Sequence, residues 1–425
     1  MLDIRLLRER PAFVREKLAT RHSPVDLDAV LALDAARRAD ITAADRLKND
    51  RNAVSKQIGA RKKAGEDTSA IQAQVREMGD QIAALDGKIR AAEEELRRLM
   101  LAIPNLPQDD VPVGEDESAN VVVGQWGEPK SFAFPAKDHV ALGEALGLFD
   151  LPRGAKITGA GFPLFVGRGA KLERALIQFM LDLHTREHGF TEVSPPFVVN
   201  RASMTGTGQL PKLENDMYHV DADDLFLIPT AEVPVTNLYR DEILPGPLPM
   251  RRVAYTPCFR REAGAAGRDT RGIVRVHQFD KVEMVAWCAP EDSAAEHQRL
   301  VRCAQTVLER LGLTYRTVLL SSGDQSFAAA KCYDLEIWAP GAGRWLEISS
   351  VSNFEAFQAR RMNIRYRTPE GRTDFVHTLN GSGVSLPRLV VALLENGQQE
   401  DGSVLLPEAL APYMGGTDAL RLAAE

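Results

Sequence analysis

With 425 residues, a net charge of −7 and 44% hydrophobic residues, the chain is too long for one ordinary core and too acidic for a generic polyanion binder, so two or three folded units are expected and any nucleic-acid contact must be local. No run of about 18 apolar residues is present, and the start Met1-Leu2-Asp3-Ile4-Arg5 lacks the features of a signal peptide, which argues against a membrane partner and for a cytoplasmic location. Cys258, Cys288, Cys303 and Cys332 stand far apart without a C-x-x-C pair, so neither a zinc ribbon nor a disulfide framework is indicated.

In chain order, the first pattern is helical. Residues 28–63 carry an apolar seam at Val30, Leu33, Ala44, Leu47, Val54 and Ile58, interrupted by Arg37, Asp40 and Arg51. In the segment that follows, Gly65 suits the left-handed residue that ends a helix, and Ser69-Ala70-Ile71-Gln72 reads as a capping box. Ile71, Val75, Met78, Ile82, Leu85, Ile89, Ala92, Leu96 and Leu99 then recur in alternating steps of four and three, the period of a coiled-coil seam. The pair predicts an antiparallel helical hairpin over about residues 28–103, reaching about 54 Å at the α-helical rise. That exceeds what a core needs.

Along the outer half of the first helix, Lys48, Arg51, Lys56, Arg61, Lys62 and Lys63 meet only Asp50. A solvated coiled-coil face is the plain explanation. A long arm with a basic outer half favours phosphate contact instead, because counterion release rewards clustered Lys and Arg on a surface that follows a nucleic-acid backbone.

Pro104, Pro107 and Pro112, with several acidic residues, mark the exit from the hairpin. The expected division is an N-terminal domain over 1–110, a linker over 111–135 and a second domain over 136–425. That second domain predicts a helix over 169–188, then short β-patterned runs at 225–228, 253–261, 273–287, 333–338 and 344–349. Hairpin-length connections imply an antiparallel sheet flanked by helices, an α+β fold.

No Gly-rich phosphate loop follows a strand, so a nucleotide would have to be held by side chains on the sheet. Strand alternation puts Arg260 and Glu262 on one face of their run, and Arg275, Phe279 and Glu283 on one face of theirs, opposite Val274, Val276, Val282 and Met284. With Arg388 added, the guanidinium groups could clamp a triphosphate and Phe279 could stack on a purine. A lone strand Arg is usually an ion-pair partner and a lone strand Phe usually core; their combination on one face asks for a ligand. His277 and His377 read as hydrogen-bonded structural residues, since no second ligand stands at metal spacing.

These residues resemble the class II aminoacyl-tRNA synthetases, and among them the bacterial-type seryl-tRNA synthetase family, nearly end to end. Phe259-Arg260-Arg261-Glu262 followed by Arg275-Val276-His277-Gln278-Phe279 looks like motif 2. Gly189-Phe190-Thr191-Glu192-Val193 leading to Pro196 looks like motif 1, and Thr378-Leu379-Asn380-Gly381-Ser382-Gly383 leading to Arg388 like motif 3. Thr207-Gly208-Gln209-Leu210-Pro211-Lys212 and Thr230-Ala231-Glu232 are similar to seryl-specific signatures. Ser385 and Pro387 depart from the common motif 3 pattern, yet Ser385-Leu386-Pro387 still reads as a helix start.

The resemblance implies a homodimer with Pro196 at the interface, and ATP-dependent charging of tRNA(Ser), with tRNA(Sec) beside it. It implies an ATP site of Arg260, Arg261, Glu262, Arg275, Phe279, Glu347, Ile348, Ser349, Ser350 and Arg388, with Arg260, Arg275 and Arg388 catalytic. L-Serine would fall to Thr230, Ala231, Glu232, Glu283 and Ser382. Mg²⁺, and no zinc, would sit at Glu347 and Ser350, which alternation puts on opposite faces, so their joint use requires the strand to end or bulge between them. Arg268 and Arg271 would meet the acceptor stem, and the hairpin the long variable arm. Three rival readings stand beside this one. The archaeal zinc-dependent seryl enzymes are disfavoured because no second His or Cys stands at metal-ligand spacing and because Thr230-Ala231-Glu232 supplies a metal-free amine site. A paralogue that charges a carrier protein would not need the long basic hairpin. An RNA-binding coiled-coil protein with a degenerate nucleotide domain is discriminated by serine-dependent pyrophosphate exchange.

Overall fold

The computed structural model describes residues 1–263 and 272–422 and divides into two compact units. One comprises Leu2–Ala19 and Ser23–Pro104. Its helices are α1 (Ile4–Glu9), α2 (Pro11–Ala19), α3 (Leu27–Lys63) and α4 (Ser69–Leu101). Asp3 and Asp26 accept the N–H groups of Arg5 and Ala29, capping α1 and α3. Helices α3 and α4 pack along each other, and Arg37 with Glu93 (3.0 Å) and Lys48 with Asp86 (3.0 Å) fix their antiparallel sense.

None of the anticipated α4 seam residues is exposed, and Ile82 and Leu96 are buried. Gly65 takes the left-handed conformation (φ +75°) between the helices. The cap differs from the expected box by one residue. Thr68, not Ser69, is the N-cap; Asp67 accepts both the N–H and the hydroxyl of Ser69, and Gln72 Nε2 donates to Thr68 Oγ1. Asp67 supplies the better acceptor, which frees Ser69 to enter the first turn.

The other unit comprises Met1, Thr20–His22 and Asn105–Glu425. Its main sheet has eight strands: β1 (Val121–Trp126), β2 (Thr191–Glu192), β3 (Met250–Phe259), β4 (Gln278–Cys288), β5 (Tyr315–Leu319), β6 (Lys331–Ala339), β7 (Arg344–Asn353) and β8 (His377–Ser385). Their order is β1-β5-β6-β7-β8-β4-β3-β2, antiparallel throughout except for β2 beside β3. Helices α5 (Arg168–Arg186), α6 (Ser293–Arg310) and α7 (Leu386–Gly397) contribute to the core that covers one side of the sheet.

Strand β4 organises this unit by alternation. Val282, Met284, Ala286 and Cys288 enter the core under α5, α6 and α7, while Val285 and Trp287 enter a second cluster with Ala231, Val235 and Ile364. That leaves Phe279, Lys281 and Glu283 together on the second face, at the end of β4 not closed by that cluster. Strand β1 lies inside the stretch read as linker, and β5 and β8 were not anticipated as strands. Among the described residues no helix is long and apolar enough to cross a membrane.

Candidate active site

A cavity of about 360 Å³ opens on this second face, walled by side chains from β4, β7 and β8, by residues 207–209, and by the start of α7. Two register slips shape it. Strand β8 shifts against β4 between Ser382 and Val384, and β7 shifts against β6 between Glu347 and Ser349. Of the two possibilities that alternation left open, a strand end or a bulge, the second slip is the bulge: Glu347 and Ser350 line the same cavity. The first lies over α5, where a Cβ on Gly383 would stand 2.8 Å from His184 Nε2. Ser385 is the N-cap of α7 and proline stands in its first turn, as the sequence predicted.

Part of the cavity wall carries acid and amide groups. Glu232 is 7% exposed; Gln358 Nε2 donates to its carboxylate at 2.6 Å, and Gln358 Oε1 accepts from Thr378. Burial, and after it the charge of Glu283, push the Glu232 carboxyl up to about 7. Thr230 Oγ1 accepts the Glu232 N–H at 3.2 Å. Glu283 does not itself line the cavity. Its fully buried carboxylate lies behind Lys281 Nζ (2.5 Å), Asn380 Nδ2 (2.9 Å) and Ser382 Oγ (3.4 Å), whose residues do.

Arginines make up much of the remaining lining, and Arg260 and Arg275 lie beside Thr230 and Glu232. Arg260 holds its guanidinium 5.1 Å from the centroid of the Phe279 ring and donates from Nε to the Pro229 carbonyl. Arg275 is ion-paired with Glu262. Arg388 donates to the Val274 carbonyl (3.2 Å), the Glu347 carbonyl (2.6 Å) and the Glu347 carboxylate (3.2 Å). Burial raises the Glu347 carboxyl, but the Arg388 and Arg260 guanidiniums outweigh it and hold it below the usual carboxylate range. Its side chain is nevertheless 48% exposed, because the atoms around it line an open cavity.

Alternation is not what gathers Arg260, Glu262 and Arg275. Strand β3 ends at Phe259 and β4 begins at Gln278, so all three lie outside the strands, and Glu262 has φ +50°. A second pairing does the work of the ladder there: Arg260 N–H donates to the His277 carbonyl, and His277 Nδ1 contacts the Arg260 carbonyl at 3.0 Å. His277 is thus structural. The buried Nδ1 of His377 finds no hydrogen-bond partner among the described residues.

Other anticipated residues stand elsewhere. Ile348 lines the cavity but Ala231, Arg261 and Ser349 do not. Ala231 is wholly buried, Arg261 donates its N–H to Asp216, and the Ser349 hydroxyl donates to the Ser382 carbonyl at 2.6 Å. Arg268 and Arg271 lie outside the described residues. Pro196 is exposed and is followed by Phe197 and Val198, 41% and 42% exposed.

On the arm, the expectation that Asp50 is the only counter-charge is corrected. Lys48 pairs with Asp86 of α4, and Arg61 with Glu66 at 3.7 Å, because the hairpin returns carboxylates that counting along one helix misses. Lys56, Lys62 and Lys63 are exposed and Arg51 is half-buried.

Lys281 and Gln358 escaped the sequence reading, and Asn380 was quoted in the motif 3 segment without a role. Lys281 was within reach, because the alternation that linked Phe279 to Glu283 passes through it.

Comparison with known proteins agrees with this architecture. Residues 1–107 match the family model of the seryl-tRNA synthetase N-terminal domain, and residues 216–397 that of the tRNA synthetase class II core domain (G, H, P, S and T). A serine–tRNA ligase of Thermomicrobium roseum is 57% identical over 418 residues, covering 98% of this chain and 94% of that protein. One from Acidithiobacillus ferrooxidans is 53% identical over 421 residues, covering 99% and 100%. The crystal structure of seryl-tRNA synthetase from Pyrococcus horikoshii complexed with ATP matches with a TM-score of 0.94 at 37% identity over 100% of both chains.

Proposed function

The chain belongs to the seryl-tRNA synthetase family, which makes it an ATP-dependent aminoacyl-tRNA synthetase, and from that premise we propose that it joins L-serine to AMP, releasing pyrophosphate, and then passes the seryl group to the 3′ end of tRNA(Ser), and of tRNA(Sec). The observation that carries this reading is one cavity lined by Arg260, Arg275 and Arg388 together with Glu232 and Lys281, with the Glu283 carboxylate buried behind Lys281.

In adenylate formation the serine carboxylate attacks the α-phosphorus in line as pyrophosphate departs. Two anions have to meet, so the protein contributes alignment and charge neutralisation rather than a covalent nucleophile. Arg260 would hold the α-phosphate, Arg275 and Arg388 the outer phosphates, Glu262 the adenine amino group and Phe279 its face. Glu232 would pair with the substrate ammonium beside Thr230, and Glu283 with Ser382 would accept its hydroxyl.

Glu347 and Ser350 offer oxygen donors at the cavity wall, the donor type that suits Mg²⁺, and these two would hold it. The ion, when bound with ATP, supplies charge neutralisation of the phosphate oxygens. For transfer, Arg268 and Arg271 are the proposed acceptor-stem contacts, and Lys48, Arg51, Lys56, Arg61, Lys62 and Lys63 the arm's tRNA contacts. The active form would be a cytoplasmic homodimer meeting through the exposed Pro196 segment.

Alanine would leave a buried acceptor of Glu283 unpaired, a defect that costs as much as about 10⁴ in sites built to bind a hydroxyl. Glu283→Ala is therefore expected to lose serine-dependent ATP–pyrophosphate exchange by about 10³ or more while remaining soluble. Unchanged exchange would remove Glu283 from the serine site.

A further inference from the structure

We propose that Lys281 is a positioning residue for substrate specificity: by ion-pairing Glu283 it fixes that buried carboxylate as an acceptor for the hydroxyl of the amino acid. The inference rests on the serine-site reading above and adds to it a residue that neither the motifs nor the alternation argument had assigned.

Lys281 lies two residues before Glu283 on β4, so both side chains leave the same face of the strand. Their charged atoms are 2.5 Å apart, with the side chains 7% and 0% exposed. A carboxylate offers about four acceptor positions. Lys281 and Ser382 approach Oε2 while Asn380 approaches Oε1. With three donors in place, the fourth position remains for a hydroxyl that enters between the lining residues.

The donors are not equivalent. Asn380 and Ser382 are neutral, and two neutral donors do not offset the desolvation of a carboxylate with no exposed surface. Lys281 supplies the charge. Its loss would leave that buried charge uncompensated, and the carboxylate would no longer be held in place as the acceptor that a hydroxyl substrate needs. Glu232 provides a comparison inside the same unit: its polar partner is the neutral Gln358 amide, and burial pushes its carboxyl up.

Burial of the pair also fits selectivity better than stability. Buried ion pairs are often no more stabilising than well-packed apolar residues, whereas removing one partner leaves an uncompensated charge. A neutral replacement of both therefore has a good prospect of folding.

The test is a double-mutant cycle on the full chain, reading KM for serine and for ATP and the serine-over-alanine ratio in pyrophosphate exchange. Lys281→Met is expected to raise the serine KM on the order of 100-fold, to leave the ATP KM within about twofold, and to lower the serine-over-alanine ratio; Lys281→Arg should retain most of both. Combining Lys281→Met with Glu283→Gln should cost no more than Glu283→Gln alone, because Lys281 acts through that carboxylate. Multiplicative losses in the double variant, or equal rises in both KM values for Lys281→Met, would overturn the proposal.

A normal serine KM for Lys281→Met beside an impaired Glu283→Gln overturns the role of Lys281 alone. Normal exchange by Glu283→Gln overturns the serine-site reading as well. If Lys281→Met does not fold, the double variant against Glu283→Gln still decides.

Discussion

The sharpest consequence at the level of single residues concerns Glu232. Its carboxyl is pushed up to about 7, first by burial and then by the charge of Glu283. An ammonium needs the ionised form, so proton and serine compete for the same group. The serine KM measured at saturating ATP is expected to fall about tenfold per pH unit below 7 and to level off above it. A flat profile between pH 6 and 8.5 would show that Glu232 does not meet the ammonium. The stability sign is the opposite. A carboxyl with a raised folded pKa contributes stability that is complete below its ordinary value of 4.5 and lost as pH rises through about 7. Glu232→Gln should therefore melt no lower than the parent at pH 8 while losing serine activation. Gly383 is a second such residue. A methyl group there would lie 2.8 Å from His184 Nε2 and 3.1 Å from Val282 Cγ1, at the point where β8 slips against β4. Gly383→Ala should cost about 1–3 kcal/mol in urea unfolding; a loss below about 0.3 kcal/mol would mean that the slip absorbs the group.

Among the elements, those with local periodicity were legible and those set by distant partners were not. The α4 seam was readable residue by residue, because a heptad depends only on its own helix. Both ends of α3 and the start of α4 were readable to within a residue, where the Asp67 to Ser69 contact explains the slip, while α4 stops at Leu101, short of the expected 103. Strands β3, β4, β6 and β7 were located, but the reading carried their alternation past the strand ends to Arg260, Glu262 and Arg275, where loop contacts set the geometry instead. Strand β1 at the sheet edge and β5 beside it were not announced by apolar alternation; every residue of β1 is exposed. Lys281 was passed over because a lysine in a strand reads as solvated, and only a buried carboxylate beside it reverses that. The same blindness to partners overstated the charge of the arm, where Asp86 and Glu66 offset Lys48 and Arg61. The exposed Lys56, Lys62 and Lys63 are thus the better candidates for phosphate contact. Replacing these three with alanine should change arm stability within about 0.5 kcal/mol each, raise the tRNA KM, and flatten the salt dependence of charging by up to about 0.7–0.9 per lost contact. An unchanged salt slope would dissociate these lysines from tRNA.

For the molecule as a whole, the division into two units separates the cavity, where both proposed chemical steps would occur, from the arm proposed to hold the tRNA. All cavity residues fall between Thr207 and Arg388, within the unit of the eight-stranded sheet. The α3 and α4 pair belongs to the other unit and has its own seam and its own buried ionic centre, where Asp34 meets Arg8, Arg37 and Arg38. The hairpin can also be shortened without disturbing its base, because Arg37 and Glu93 face each other at 3.0 Å across the two helices. A chain lacking residues 38–92, closed by a short glycine-rich turn, keeps Asp34, Arg8 and Arg37 together and leaves the cavity residues untouched. Serine-dependent pyrophosphate exchange should then stay within about threefold of the full chain, while seryl transfer to tRNA(Ser) should fall on the order of 100-fold or more, since multiple phosphate contacts act together. Loss of both activities together would tie adenylate formation to the arm, and retention of both would leave the long hairpin without a part in charging.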